Sequence, residues 1–162
     1  MLSRFLKKSD CKSCQFCCSY RRKSLWETPP FDRVSKERLE KKYPFARFKS
    51  IGDDVFTIDL DNEYKSDDPE EEARCPFNQE GCILDPADKP FVCEVWPLRI
   101  MEKGDRRVIA LAEGCPVFAK VDSEELKSFT GEKLKDFISG HVKEHPEVVE
   151  PWHDNYTVIC DI

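Results

Sequence analysis

Four cysteines fall within eight residues, Cys11, Cys14, Cys17 and Cys18, in the stretch CKSCQFCC. Four more, Cys75, Cys82, Cys93 and Cys115, lie farther along the chain, and Cys160 stands in the C-terminal tail. Thiolates bind metal ions and act as redox or nucleophilic groups, whereas neutral thiols pack as small apolar side chains. Spacing separates these uses. A C-x-x-C turn aims two sulfurs at one point, which suits a tetrahedral thiolate site. Cys11, Cys14 and Cys17 repeat that spacing, as at the start of a ferredoxin-type run whose distant fourth ligand is a cysteine followed by proline. Two such pairs occur, Cys75-Pro76 and Cys115-Pro116. Core packing accounts for single cysteines but not for this run. A thioredoxin-type C-x-x-C would use two and leave the others unexplained.

Cys17 and Cys18 pose a geometric question. Neighbouring side chains diverge by roughly 100° on a helix and roughly 180° on a strand. The expectation is therefore that the two serve different metal positions, and eight thiols suffice for two four-sulfur sites. Cys160 lies outside the pattern and reads as a small buried hydrophobe. The start MLSRFLKKSD has no apolar stretch of the length a signal peptide needs, so a cytoplasmic location with reduced thiols is expected. There, clustered cysteines point to metal rather than to disulfides, and the odd count of nine fits complete intrachain pairing poorly.

The segments CKSCQFCC, CPF, CILDPADKPFVCEVWP and GCP, spanning roughly residues 11–118, resemble the zinc- or iron-chelating domain family, the YkgJ-type cysteine-cluster proteins. That family's pattern runs C-x-x-C-G-x-C-C, then C-P, a cysteine, R-P-x-x-C-R and a final cysteine. All eight family cysteines have a match here: Cys11, Cys14, Cys17, Cys18, Cys75, Cys82, Cys93 and Cys115. The departures are Gln15 for glycine, Lys89 for the arginine before Pro90, and Glu94 for the arginine after Cys93. The resemblance implies a bound zinc or iron and no agreed reaction, although related clusters occur in flagellin lysine methylases.

Other residues receive plainer readings. His141 and His145, four apart, read as exposed helix histidines, and His153 as a loop residue. Arg21, Arg22 and Lys23 are either a solvated run or cations that offset thiolate charge. Phe16, Phe77, Phe91, Trp96 and Phe118, all near cysteines, are expected to form a dry shell around the site. The acidic run Glu70-Glu71-Glu72 reads as solvated. No nucleophile-base pair, phosphate loop or dinucleotide fingerprint is present, so catalysis would have to come from the metal centre.

The positioning elements follow from local pattern. FDRVSKERLEKKYP reads as a helix capped by Asp32 or Ser35, with Leu39 and Tyr43 on one face and Pro44 as its stop. RRKSLWETPP reads as basic and then extended. ARFKSIGDDVFTIDL and LRIMEKGDRRVIALAEG read as β-hairpins turning at Gly52-Asp53-Asp54 and at Gly104-Asp105. Pro76, Pro86, Pro90 and Pro97 forbid long elements among the distant cysteines. DSEELKSF, with an Asp N-cap, and EKLKDFISGHVKEH read as helices separated at Thr130-Gly131, and NYTVICDI as a short strand.

The expected fold is α+β: one small domain over residues 1–162, with β-hairpins, short helices and an irregular cysteine-rich metal-binding core. The cysteine-cluster region spans 11–118, and a helical extension spans 122–146 before the tail strand. The formal net charge of −6 argues against a nonspecific nucleic-acid binder, and no apolar run spans a membrane. The function expected is a structural or regulatory binding module holding zinc or iron through the eight cysteines, with a protein partner or small substrate that the sequence does not identify. The alternative is an iron–sulfur protein supporting electron transfer or group-transfer (methylation-type) chemistry. Because the cysteine-rich chain is proline-broken, metal binding is expected to contribute folding energy, on the order of 10 kcal/mol.

Overall fold

A computed structural model describes residues 2, 4–7, 9–10, 14 and 16–162. The fold is α+β, with helices and several antiparallel and mixed sheets. The chain divides into two compact units, Lys7–Glu94 and Met1–Leu6 together with Val95–Ile162.

Within Lys7–Glu94, β1 (Ser19–Arg21) pairs antiparallel with β5 (Glu72–Arg74). A second sheet has the order β2-β4-β3, built from Phe31–Asp32, Val55–Ile58 and Phe48–Gly52. The β3–β4 hairpin turns at Asp53-Asp54, where Asp54 takes a positive φ of 56°, a conformation that aspartate tolerates better than most residues. The Arg33–Lys42 helix is capped by Asp32, whose side chain accepts from the Ser35 N–H at 2.6 Å. Its buried Leu39 joins a core with Tyr20, Phe31, Ile58, Leu60, Ala73 and Phe77, against which Cys75 packs.

The expected extended stretch after Arg21 is instead a 3₁₀ segment, Arg22–Glu27, interrupted at Ser24. Thr28 closes it, its N–H and hydroxyl both donating to the Leu25 carbonyl. The acidic loop is also more ordered than expected. Glu71 accepts from the Lys65 N–H, the Ser66 N–H and the Ser66 hydroxyl, and Glu72 begins β5. Tyr64, buried in the same loop, donates its hydroxyl to the Tyr20 carbonyl at 2.9 Å.

The other unit is organised by a four-stranded sheet of order β8-β6-β7-β9, formed by Val149–Pro151, Leu98–Lys103, Arg106–Ala112 and Tyr156–Asp161. β6 and β7 form the hairpin expected at Gly104-Asp105, with Gly104 at φ 62°. Leu98, Arg99, Ile100 and Met101 are buried in succession, so both faces of β6 are covered. The Ser123–Phe129 helix is capped by Asp122, which accepts from the Glu124 and Glu125 N–H groups. The expected break at Thr130-Gly131 is absent. A π-helical turn, Thr130–Leu134, carries the helix into Lys135–Glu144, because Thr130 and Leu134 are buried and hold the turn against the core. Phe5 lies tilted against Phe118 at 5.9 Å and meets Phe129 edge-on at 5.2 Å. No helix among the described residues is long and apolar enough to cross a membrane.

Candidate metal centre

The β1–β5 ladder decides which thiols meet. Its register pairs Ser19 with Arg74, Tyr20 with Ala73 and Arg21 with Glu72. One step further, Cys18 faces Cys75, and the Cys75 N–H donates to the Cys18 carbonyl at 2.7 Å. Cys18 thus lies on the chain leaving the N-terminal cluster, and Cys75 on the strand returning from the acidic loop. Directly opposed residues of an antiparallel pair hold their side chains on one face.

Cys17 and Cys18 share a 3₁₀ turn, Phe16–Cys18, which places their sulfurs 3.9 Å apart. The divergence expected of neighbouring side chains is therefore not what the structure has. The sulfurs meet although neighbouring residues of a 3₁₀ turn diverge by about 120°, so side-chain torsions bring them together. Two sulfurs at about 2.3 Å from one tetrahedral ion stand about 3.8 Å apart, so this pair has the separation of ligands on a common ion.

Around Cys75 the chain folds back tightly. The Asn78 N–H donates to the Cys75 carbonyl at 3.0 Å, and the Ile83 N–H to the Phe77 carbonyl at 2.9 Å. Asn78 and Cys82 form an isolated β-bridge, closed by the Gly81 N–H donating to the Asn78 Oδ1 at 3.0 Å. Glu80 and Gly81 both adopt positive φ in this reversal. Cys93 sits in a one-turn helix, Phe91–Glu94, its N–H on the Pro90 carbonyl.

Electrostatics ties these thiols together. The Cys18 thiol is lowered to about 7, chiefly by its hydrogen bond with Cys17; burial opposes this, while a hydrogen bond from the Asn78 side chain and the charges of Lys89 and Arg74 add to it. Cys75 moves the other way. Burial pushes its thiol up, and the charges of Cys18, Cys93 and Cys82 push in the same direction, against a hydrogen bond from the Phe77 backbone. Cys18 and Cys75 are thus shifted in opposite directions, with Cys17 acting on the one and Cys18, Cys93 and Cys82 on the other.

The cations at the thiols are not those expected. Arg21 pairs with Glu70 and Glu72, and Lys23 with Glu70, so this basic run is matched by the acidic loop. Lys89 and Arg74 act on Cys18 instead. Sequence reasoning overlooked Arg74 and Asn78, although each stands within three residues of Cys75 in RCPFN. Lys89 follows Asp88, a buried carboxylate that accepts from Arg38 at 2.8 Å and Lys42 at 2.7 Å. This bracket fixes the Pro86–Asp88 turn to the Arg33–Lys42 helix.

The other expected ligands are placed as follows. Cys14 is exposed, as are Cys82 and Cys93. Cys11 lies outside the described residues. Cys115 is buried in the other unit, its carbonyl accepting from the Ala119 N–H. Cys160 lies on β9 opposite Ile109. All eight described cysteines are thiols. Among the described residues, no group of three or more His, Cys, Asp or Glu side chains is placed to hold a metal ion. Sulfur donors are of the type that soft divalent ions prefer, and the close sulfur contact among the described thiols is the Cys17–Cys18 pair.

The expected dry shell holds only in part. Phe77, Phe91 and Phe118 are buried, but Phe16 is 44% exposed beside Cys17. His141 and His145 stack at 4.5 Å, with His145 on Glu147 at 3.1 Å.

Comparison with protein-family models, curated proteins and solved structures gave no match.

Proposed function

We propose that this chain is a metal-binding protein that holds zinc or iron through its cysteine cluster, as a structural or regulatory module. The observation that supports the reading is the Cys17–Cys18 sulfur pair, 3.9 Å apart, with the Cys75 backbone hydrogen-bonded to Cys18. Cys82 and Cys93 lie within electrostatic range of Cys75 and are the next donors. Cys11, Cys14 and Cys115 complete the eight-cysteine pattern. A preformed site rarely exists in an unfolded chain, so drawing in the remaining ligands would couple ion binding to folding.

Bound zinc would supply charge neutralisation and cross-linking, and iron with sulfide would supply one-electron chemistry. The protein's own part is to gather the thiols, to donate the Asn78 and Phe77 hydrogen bonds to sulfur, and to set Lys89 and Arg74 against the thiolate charge. A reducing compartment such as the cytoplasm suits these thiols.

Elemental analysis of anaerobically purified protein tests the proposal. Zinc or iron is expected, with at least one equivalent lost in Cys18→Ser and in Cys75→Ser. A colourless protein indicates mononuclear zinc, and a brown one an iron–sulfur cluster. Protein with neither metal, or a full complement in both variants, would overturn the reading.

A further inference from the structure

We propose that Cys17 and Cys18 form a hydroperoxide-oxidisable dithiol, in which the two adjacent sulfurs join in a reversible disulfide. Its effect on metal rests on the function proposed above, whereas the oxidation chemistry does not.

Proximity selects the pair. The sulfurs stand 3.9 Å apart and must close to about 2.05 Å. Cys17 and Cys18 are each partly buried, neither fully enclosed. Phe16, next in the chain, is 44% exposed, so solvent reaches this edge of the site. The rival partner, Cys75, packs against the hydrophobic core beneath the ladder, where an oxidant has less access. The Cys18 carbonyl is held by the Cys75 N–H at 2.7 Å.

The geometry also makes the bond reversible. Adjacent Cα atoms are about 3.8 Å apart across a trans peptide, and ordinary disulfides span about 4.4–6.8 Å between Cα atoms. A disulfide between neighbours is therefore strained, and strained disulfides are the readily reduced, regulatory ones.

Two displacements make up the reaction. One thiolate sulfur attacks a hydroperoxide oxygen. An S–O bond forms, the O–O bond breaks, and the departing alkoxide leaves as an alcohol (or water) with a proton. The neighbouring thiol then attacks the sulfenic sulfur. An S–S bond forms, the S–O bond breaks, and water leaves. Two thiols and one hydroperoxide become one disulfide, one alcohol and one water. The sulfurs lose two electrons, and the peroxide gains them. Two donors are thereby removed at once from the group that faces Cys75.

Full-length protein, both as purified and after chelation, is treated with one equivalent of hydrogen peroxide, and the peptide carrying Cys17 and Cys18 is fragmented in a mass spectrometer. Loss of two hydrogens within that pair is expected, restored by reduced glutathione and accompanied by release of any bound zinc or iron. In Cys17→Ser and in Cys18→Ser the remaining thiol should stop at the sulfenic acid, trapped by dimedone. A bond from either residue to a different cysteine, or direct over-oxidation of the parent to sulfinic acid, would overturn the proposal. A Cys17–Cys18 disulfide in protein that binds neither metal leaves this inference standing and removes the metal reading. Bound metal without the disulfide removes this inference alone.

Discussion

Replacement of Phe77 by alanine tests whether the thiol group is carried by the hydrophobic core beneath it. Phe77 is 1% exposed and follows Cys75-Pro76 directly. Its ring meets Tyr43 at 5.5 Å and lies 6.3 Å from both Phe45 and Phe48. Removing a buried phenyl ring costs about 3–5 kcal/mol, depending on how far the site collapses. Phe45 is 47% exposed, so it is free to swing into part of the space, which favours the low end, about 3 kcal/mol. That is a large share of a total stability of about 5–15 kcal/mol. Urea unfolding reads this out in a background where Trp96 and Trp152 are phenylalanine. Trp26 then reports on the Lys7–Glu94 unit alone. Cys75 should become alkylated faster in the same variant, since its neighbour two residues on no longer anchors the reversal. Phe77→Leu keeps most of the apolar volume and should fall between parent and Phe77→Ala. An Ala variant within about 1 kcal/mol of the parent, a cost typical of a surface site rather than a filled core, would refute the reasoning.

Two further outcomes follow from the other unit. Asp122→Ala removes the acceptor of two backbone N–H groups, those of Glu124 and Glu125, and should cost about 0.5–2 kcal/mol in thermal or urea unfolding. No loss would mean that the helix start is held by other contacts. Glu150 is raised from 4.5 to about 7 by burial, against the opposing charge of Arg99 on the paired strand. Because the folded value lies above the unfolded one, folding favours protonated Glu150. Its contribution is fully present below pH 4.5 and is lost as pH rises through about 7. Glu150→Gln should therefore flatten the decline in stability across that window, and an unchanged pH profile would exclude Glu150 as its source.

Where a local rule governs, the fold was legible in the sequence. The helix beginning after Asp32 and the one after Asp122 were signalled by side chains able to cap exposed N–H groups, and both aspartates do so. The hairpins at Asp53-Asp54 and Gly104-Asp105 were signalled by alternation around turn residues. The π-helical turn at Thr130–Leu134 was not, since Thr130-Gly131 has the local character of a break and only burial of Thr130 and Leu134 keeps the helix going. The acidic loop misled for a related reason. Glu70, Glu71 and Glu72 look like a solvated run, but Glu71 is bound within its own loop by Ser66, and Lys23 and Arg21 become neighbours of Glu70 and Glu72 only when β1 meets β5.

The same ladder explains what could and could not be read of the site. Spacing identified the cysteines because C-x-x-C is a local signal. It could not identify their grouping, because a register is a property of two strands. Ser19 opposite Arg74 determines that Cys18 meets Cys75. A one-residue slip would turn one of the two thiols to the opposite face. A two-stranded sheet is marginal by itself, so the register needs an outside hold. Tyr20 and Ala73, paired across the ladder, are both buried in the core, and the Tyr64 hydroxyl donates to the Tyr20 carbonyl. The core therefore sets the register, and the register sets which thiols face each other. Apolar burial thus aligns Cys18 with Cys75 before any ion is bound, and an ion would still have to draw further ligands in.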